Sequence, residues 1–125
     1  MRIAIHMFEA RVSPRFDCAT EFLVAEVSDG RIVSSNKVPA NGSASLKRVG
    51  WLDQLCVGAV ICGGIEGVTA QCVRSHGIQL YSRVCGDARG ALTAFLRGEL
   101  ESGTMVEKDG RCCGRWRFSA DCEAV

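Results

Sequence analysis

The stretch "VICGGIEG", residues 60–67, marks the change from a strand to a helix. It closes the continuously apolar run 57–62, which is typical of a strand covered on both faces. Apolar residues then recur at helical spacing until Gly77, which predicts a helix over 65–76. A strand that leads into a helix indicates an α/β fold with parallel strands. The thiol and two glycines at the junction leave four interpretations open: a redox centre, a phosphate cradle, a ligand for a metal cluster, or a tight turn.

Outward from this junction, the pattern predicts four further strands and two further helices. Strands are predicted at 2–8, 22–27, 31–38, 57–62 and 78–82. The dipeptide Asp29-Gly30 favours a tight hairpin, so the second and third strands should be antiparallel, as should the first and second. Ser43 or Ser45 can cap the first helix, and Asp87 can cap the last. Right-handed crossovers then give a single-domain α/β fold, with a mixed five-stranded sheet and helices on both faces.

The domain is predicted to span 1–102, followed by a tail over 103–125. Apolar periodicity ends after Gly103, and the tail is rich in Cys and Arg. A terminal segment without an apolar face is expected to be mobile, or only loosely docked, when no ligand is bound.

Composition excludes several classes of protein. The chain has 125 residues, a formal net charge of +1 and eight cysteines. Such a charge gives no general attraction to nucleic acid or to an anionic membrane, so neither is an expected partner. The first apolar run is too short for a signal peptide, and no run reaches the ~18 apolar residues of a membrane span, which predicts a cytoplasmic protein. No CxxC pair occurs, which excludes zinc-ribbon and thioredoxin sites.

Soft metal ligands follow three predicted parallel strands. Because the carboxyl ends of such strands share one edge, we expect His6, Cys62 and Cys85 to lie on one rim of the sheet. The adjoining loops would add Gly63, Gly64, Arg11, Arg15, Arg83, Arg89 and Cys18. Free N–H groups after the glycines and at Asp87 would face the same rim. Thiolates and imidazole suit metal–sulfur chemistry and guanidinium groups suit an anion, so the combination predicts an anionic metal–sulfur cluster.

Each of these thiols also has a simpler interpretation. A cysteine at a strand end is often a small buried apolar residue, and this applies equally to Cys62 and Cys85. Cys56 and Cys72 are expected to be structural, since free cysteine is among the most buried residue types. His76 precedes the glycine that ends a helix, where an imidazole favours the helix dipole, so we place it outside the site.

Two other kinds of site are disfavoured. The segment "CGGIEG" lacks the Lys and Ser/Thr of a P-loop and the glycine spacing of a dinucleotide-binding loop. Carboxylates near the rim could serve a two-metal nuclease. These are Glu9, Asp17, Glu66 and Asp87. The first strand, however, offers Ala4 and His6 where a nuclease would need a central acid.

Three stretches carry a family resemblance. They are "MRIAI" with "FEARVSPRFDCATEFLVAEVSDGRIVS", then "GAVICGGIEG", then "GIQLYSRVCGDARGALTAFLRGEL". In this order they resemble the dinitrogenase iron-molybdenum cofactor biosynthesis family over about residues 1–102, most specifically in "RVSPRFD" and "ICGGIEG". The resemblance implies a ribonuclease H-like fold. It also implies non-catalytic binding or carriage of iron-molybdenum cofactor or its iron-sulfur precursor.

Two features depart from the family pattern and add soft ligands. His6 occupies a position that usually holds Pro or another small residue, and the tail sequence "RCCGRWRF" contains the adjacent pair Cys112 and Cys113. The sequence therefore predicts a carrier of an iron-sulfur or iron-molybdenum-sulfur cluster that works with metallocofactor assembly or acceptor proteins. The alternative is a redox-sensing or regulatory interaction domain that uses its thiols without a cluster. No enzyme activity is expected.

Overall fold

The computed structural model describes residues 1–16, 19, 21–39 and 45–115. The strands are β1 (Arg2–Phe8), β2 (Arg11–Val12), β3 (Glu21–Ser28), β4 (Arg31–Pro39), β5 (Val57–Ile61), β6 (Gln79–Tyr81), β7 (Cys85–Gly86), β8 (Thr104–Val106) and β9 (Cys112–Arg115). The helices are α1 (Ser45–Gln54), α2 (Gly67–Ser75) and α3 (Ala88–Leu96). Within these ranges, none of the helices has the length and apolar character needed to cross a membrane.

The main sheet is mixed, as predicted. Its strand order is β4-β3-β1-β5-β6, and the short β2 pairs with the end of β1. Strand β1 is antiparallel to β3 and parallel to β5, which is in turn parallel to β6. Asp29 and Gly30 have φ values of 53° and 74° and form the turn of the β3–β4 hairpin. The five predicted strands and three predicted helices are therefore present, and β2 is an addition.

The alternation of side chains along the central strands separates two cores. Ile5 of β1 and Ile61 of β5 belong to the core that contains Leu92 of α3. Ala4 of β1 belongs to the opposite core, which contains Val49 of α1 and residues of α2. Helices thus cover both faces of the sheet, which confirms a mixed α/β domain with three helices in the described part of the chain.

A second, three-stranded sheet has the order β7-β8-β9. A Cβ on Gly86, which has a φ of 109°, would lie 2.0 Å from the carbonyl oxygen of Val106, so only glycine lets β7 and β8 approach this closely. Val106 is buried and joins the α3 core. The sequence does not predict β8 and β9, because strands of three and four residues are too short to show a clear alternation.

The tail expected over 103–125 therefore begins with residues that pair with the domain. Residues 116–125 lie outside the described part of the chain. The division of the chain near residue 102, and the mobility of the tail without a ligand, stay predictions.

Candidate functional site

A cavity of about 630 Å³ lies where β1 and β5 end. Its walls consist of Phe8, Glu9, Arg11, Val12, Pro14, Gly63, Gly64, Arg83, Val84, Cys85, Gly86 and Met105. This volume falls within the usual range for small-ligand sites. The cavity is therefore the candidate binding site at the edge of the sheet that the strand topology favours.

The two glycines after β5 pack against the loop that follows β2. The N–H of Gly64 donates to the Pro14 carbonyl at 2.7 Å, and the N–H of Phe16 donates to the Gly64 carbonyl at 2.7 Å. A Cβ on Gly63 would lie 2.2 Å from the Ser13 carbonyl oxygen. Glycine is thus needed for contact between two loops. The N–H of Gly64 is therefore not available to an anion, and the expectation that N–H groups after the two glycines face one stays a prediction.

Two residues of the cavity wall have left-handed backbone conformations. Glu9 has a φ of 59° and Arg83 a φ of 55°. Hydrogen bonds from the N–H of Arg83 to the Gly63 carbonyl, at 2.9 Å, and from Val84 to the Cys62 carbonyl, at 3.1 Å, hold the second of these turns in place. Such conformations cost about 1–3 kcal/mol and cluster at ligand-binding sites.

The amino end of α3 is largely occupied by the fold itself. Asp87 caps the helix as predicted, since its carboxylate accepts the N–H of Gly90 at 2.9 Å. The N–H of Ala88 donates to the Ala10 carbonyl at 3.0 Å. These donors are not available to a ligand, which corrects the expectation for this helix. Arg89 is exposed on α3 and is not part of the cavity wall.

The charged groups of the cavity wall are two guanidinium groups and one carboxylate. Arg11 and Arg83 supply the positive charge, and Glu9 supplies the negative charge. Cys85 is half-buried and adds a thiol. Much of the remaining wall is apolar, and Phe8 and Met105 are 46% and 41% exposed. The cavity therefore suits a ligand with negative charge and a soft, weakly hydrated surface.

His6 does not lie on this rim. Its side chain is fully buried, with ring centroids 4.2 Å from Phe16 and 4.4 Å from Phe22. Burial, together with the charge of Arg48, lowers the pKa of His6 to about 3. Neither ring nitrogen has a hydrogen-bond partner among the described residues. The expectation that His6 is a rim ligand is wrong, because it follows Ala4 on the face of β1 that α1 and α2 cover.

Cys62 is also enclosed. It is fully buried in the core beneath α1 and α2, and burial raises the pKa of its thiol to about 12. Its backbone continues the pairing of β5, since the N–H donates to the Tyr81 carbonyl at 2.9 Å. The simpler interpretation, a small buried apolar residue, is therefore correct for Cys62, whereas Cys85 lines the cavity.

The remaining predicted ligands are scattered or lie outside the described residues. Arg15 forms a backbone bridge with Gly64 but is not part of the cavity wall. Cys112 packs against the α3 core, with its Sγ 3.8 Å from the Glu99 carbonyl oxygen. Burial raises the pKa of the Cys112 thiol, and the negative charges of Glu99 and Glu101 raise it further. Cys18 and the side chain of Cys113 are among the parts not described.

The structure therefore does not bring His6, Cys62 and Cys85 together on one rim. In the ranges that the structure describes, no three His, Cys, Asp or Glu side chains are grouped so that they could hold a metal ion. Arg11, Gly63, Gly64, Arg83 and Cys85 do share the cavity, and their role in binding stays a prediction.

The apolar part of the wall was not predicted. Phe8, Val12, Pro14, Val84 and Met105 contribute to it. The positions of two of these residues could have indicated the wall. Phe8 ends β1 and precedes Glu9, and Val84 lies after β6 and follows Arg83. Met105 gave no signal, because it reaches the cavity only through the unpredicted pairing of β7 and β8.

Comparisons with known proteins place the chain in a family. A family model described as dinitrogenase iron-molybdenum cofactor matches residues 1–98. No curated protein matches the chain. The crystal structure of PH0822 is similar with a TM-score of 0.76 and 20% identity, and the match covers 82% of this chain and 94% of PH0822.

Two further solved structures share the fold. The NMR structure of MJ0327 from Methanococcus jannaschii has a TM-score of 0.67 and 23% identity, over 82% of this chain and 92% of that one. The apo form of the orange protein from Desulfovibrio gigas has a TM-score of 0.63 and 21% identity, over 81% and 91% respectively. The match over residues 1–98 confirms the resemblance seen in the sequence. The chain belongs to the dinitrogenase iron-molybdenum cofactor family.

Proposed function

We propose that the cavity binds an anionic metal–sulfur cluster, of the iron-sulfur or iron-molybdenum-sulfur type, and that the protein carries this cluster without catalysis. The observation that supports this function best is that Arg11, Arg83 and Cys85 share one cavity of about 630 Å³. The description of the family, which names the iron-molybdenum cofactor, is consistent with such a cargo. We also retain the ribonuclease H-like description of the fold as a prediction.

The lining residues would divide the work of recognition. The guanidinium groups of Arg11 and Arg83 donate fixed, planar sets of hydrogen bonds to an anion. The thiolate of Cys85 would be a soft ligand for iron or molybdenum. Apolar residues such as Phe8 and Met105 would exclude water, which strengthens the attraction between the arginines and the cluster.

The single thiol of the described cavity wall also limits the kind of cargo. An iron-sulfur cluster that is built and held entirely by protein usually needs four cysteine ligands. The cavity has Cys85 alone among its described lining residues. A cluster bound here would therefore bring most of its own sulfur ligands, as expected of a preformed cluster received from one metallocofactor assembly protein and passed to another.

The proposal can be tested by anaerobic incubation with a preformed iron-sulfur or iron-molybdenum-sulfur cluster, followed by analysis of metal and sulfide per chain. We expect the double variant Arg11→Gln/Arg83→Gln to bind the cluster at least tenfold more weakly, because both positive charges of the wall are lost. Cys85→Ser should weaken binding by a smaller factor. Arg89→Gln is the matched control, since it removes an exposed arginine that does not line the cavity.

Retention of the cluster by the double arginine variant would contradict the proposal. An equal loss in Arg89→Gln would also contradict it, because general electrostatic attraction would then explain the binding.

A second candidate function is redox sensing by Cys85. This thiol is half-buried and shares its cavity with two arginines, an environment typical of oxidisable cysteines. The expected result for a sensor is a colourless protein without bound iron, in which peroxide oxidises Cys85 and a thiol reductant restores it. A coloured protein that contains iron and sulfide would favour the carrier.

A further inference from the structure

Helix α2 connects the cavity with the opposite edge of the sheet. Its first residue, Gly67, follows the cavity-lining Gly64, and its last turn precedes β6, which starts at the far edge. Cys72 is half-buried in this part of α2, and His76 is the exposed C-cap residue. The pair is therefore separate from the proposed cluster site.

The two side chains are close enough to share a ligand. The Sγ of Cys72 lies 3.9 Å from the Nδ1 of His76. Residues four apart lie on the same face of a helix, and this spacing places two metal ligands side by side. Tetrahedral zinc bonded to one sulfur and one nitrogen separates these atoms by about 3.6 Å, from bond lengths of about 2.3 and 2.1 Å. The observed distance therefore requires only a small movement.

The imidazole is also held in place by a contact that it can give up. His76 Nδ1 lies 2.8 Å from the Cys72 carbonyl oxygen, so it carries the proton and donates in the metal-free protein. The same carbonyl also accepts the Ser75 hydroxyl at 2.7 Å and the backbone N–H of His76 at 3.3 Å. Because these two donors remain, loss of the imidazole donor does not leave the carbonyl without a hydrogen bond.

We propose that Cys72 and His76 form a site for one borderline or soft divalent ion, such as Zn²⁺. The ion would bind the Cys72 thiolate and the Nδ1 of His76, with water at its other positions. Binding releases the thiol proton of Cys72 to solvent, and the imidazole proton moves from Nδ1 to Nε2, which frees the Nδ1 lone pair. The chain would then hold a metal ion apart from its cluster cargo.

The composition of the chain permits a direct test. It contains only two histidines, so ¹⁵N labelling of histidine gives two ring systems, those of His76 and of the buried His6. Zn²⁺ is titrated in excess over all eight thiols, with a phosphine reductant present. We expect the Nδ1 signal of His76 to move and saturate as Zn²⁺ is added, while the ring signals of His6 stay fixed.

Two variants separate this site from general thiol binding. Cys72→Ser should raise the Zn²⁺ concentration needed for the shift at least tenfold. Cys56→Ser, which removes an exposed thiol just before β5 begins, should leave the shift unchanged. Circular dichroism would check that each variant is folded.

The inference is overturned if Zn²⁺ leaves the ring of His76 unchanged, or if Cys72→Ser and wild type respond at the same Zn²⁺ concentration. The zinc site does not depend on the cluster function, because Arg11→Gln/Arg83→Gln should leave the His76 response intact. Loss of the response in that double variant would also overturn the inference.

Discussion

Cys62 and Cys85 lie at the same edge of the molecule, but their surroundings are opposite. Cys62 is fully buried, in a core that includes Phe16 from the loop after β2. Cys85 is half-buried in the cavity wall, where the short β7 pairs with β8. The comparison teaches that a position at the carboxyl edge of a strand does not decide whether a side chain is accessible. The elements packed on that face of the sheet, here α1, α2 and Phe16, decide it.

The largest effect should come from the loop contact made by Gly63, the residue that follows Cys62. Gly63→Ala would place a Cβ 2.2 Å from the Ser13 carbonyl oxygen and 2.4 Å from that of Pro14. Backbone atoms cannot move aside as a flexible side chain can, so we expect a loss of about 3 kcal/mol or more in the free energy of unfolding. Urea denaturation followed by circular dichroism measures this loss.

The matched control is Gly67→Ala, at the first residue of α2, four positions after Gly63. A Cβ on Gly67 meets nothing within 4 Å, so this change should alter stability by less than about 1 kcal/mol. Equal stability of the Gly63 and Gly67 variants would show that the two loops can separate without loss.

The next effect concerns His6, which packs against Phe16 of the core that contains Cys62, and it depends on pH. Burial lowers the pKa of His6 from 6.5 to about 3, so the folded protein resists a proton that the unfolded chain accepts. Below pH 6.5 the unfolded state therefore binds more protons, and stability falls as pH falls, by roughly 1.4 kcal/mol per pH unit at most. Between pH 7 and pH 5 this contributes about 2 kcal/mol.

His6→Leu should remove this contribution, because leucine cannot take a proton. The difference in unfolding free energy between pH 7 and pH 5 should be about 2 kcal/mol smaller in the variant than in wild type, and urea denaturation at both values measures it. An unchanged pH dependence would mean that His6 can be protonated in the folded protein.

The smallest effect compares the two thiols directly. Cys62→Ala should cost about 1–2 kcal/mol, because it leaves a cavity in a closed core, whereas Cys85→Ala should cost less than about 0.5 kcal/mol. Thermal unfolding of the two variants measures the difference. A larger loss in Cys85→Ala would show that the cavity wall is itself part of the stabilising core.

The sequence predicted the strands and helices that have a long or regular apolar pattern. Strand β5 is recognisable because the run 57–62 is continuously apolar, and the β3–β4 hairpin because Asp29-Gly30 suits its turn. Strands β7 and β8 have two and three residues, too few for a period to appear.

The candidate site was predicted only in part, because local patterns do not show what packs around a side chain. Arg11, Arg83 and Cys85 were predicted because they adjoin strand ends, and all three line the cavity. His6 and Cys62 adjoin strand ends equally, but they face the α1 and α2 core, which their position along the chain does not reveal. Cys56, expected to be buried, is exposed in a turn with a φ of 58°.

By itself, the amino-acid sequence determined the family, the mixed sheet and the edge at which the cavity lies. These follow from local patterns, namely apolar periodicity, turn residues and the "RVSPRFD" and "ICGGIEG" segments. The tertiary structure alone decided which thiol is accessible. Burial of Cys62 depends on packing between segments distant in sequence, such as Phe16 and residues of α1 and α2, and this packing leaves no period in the chain.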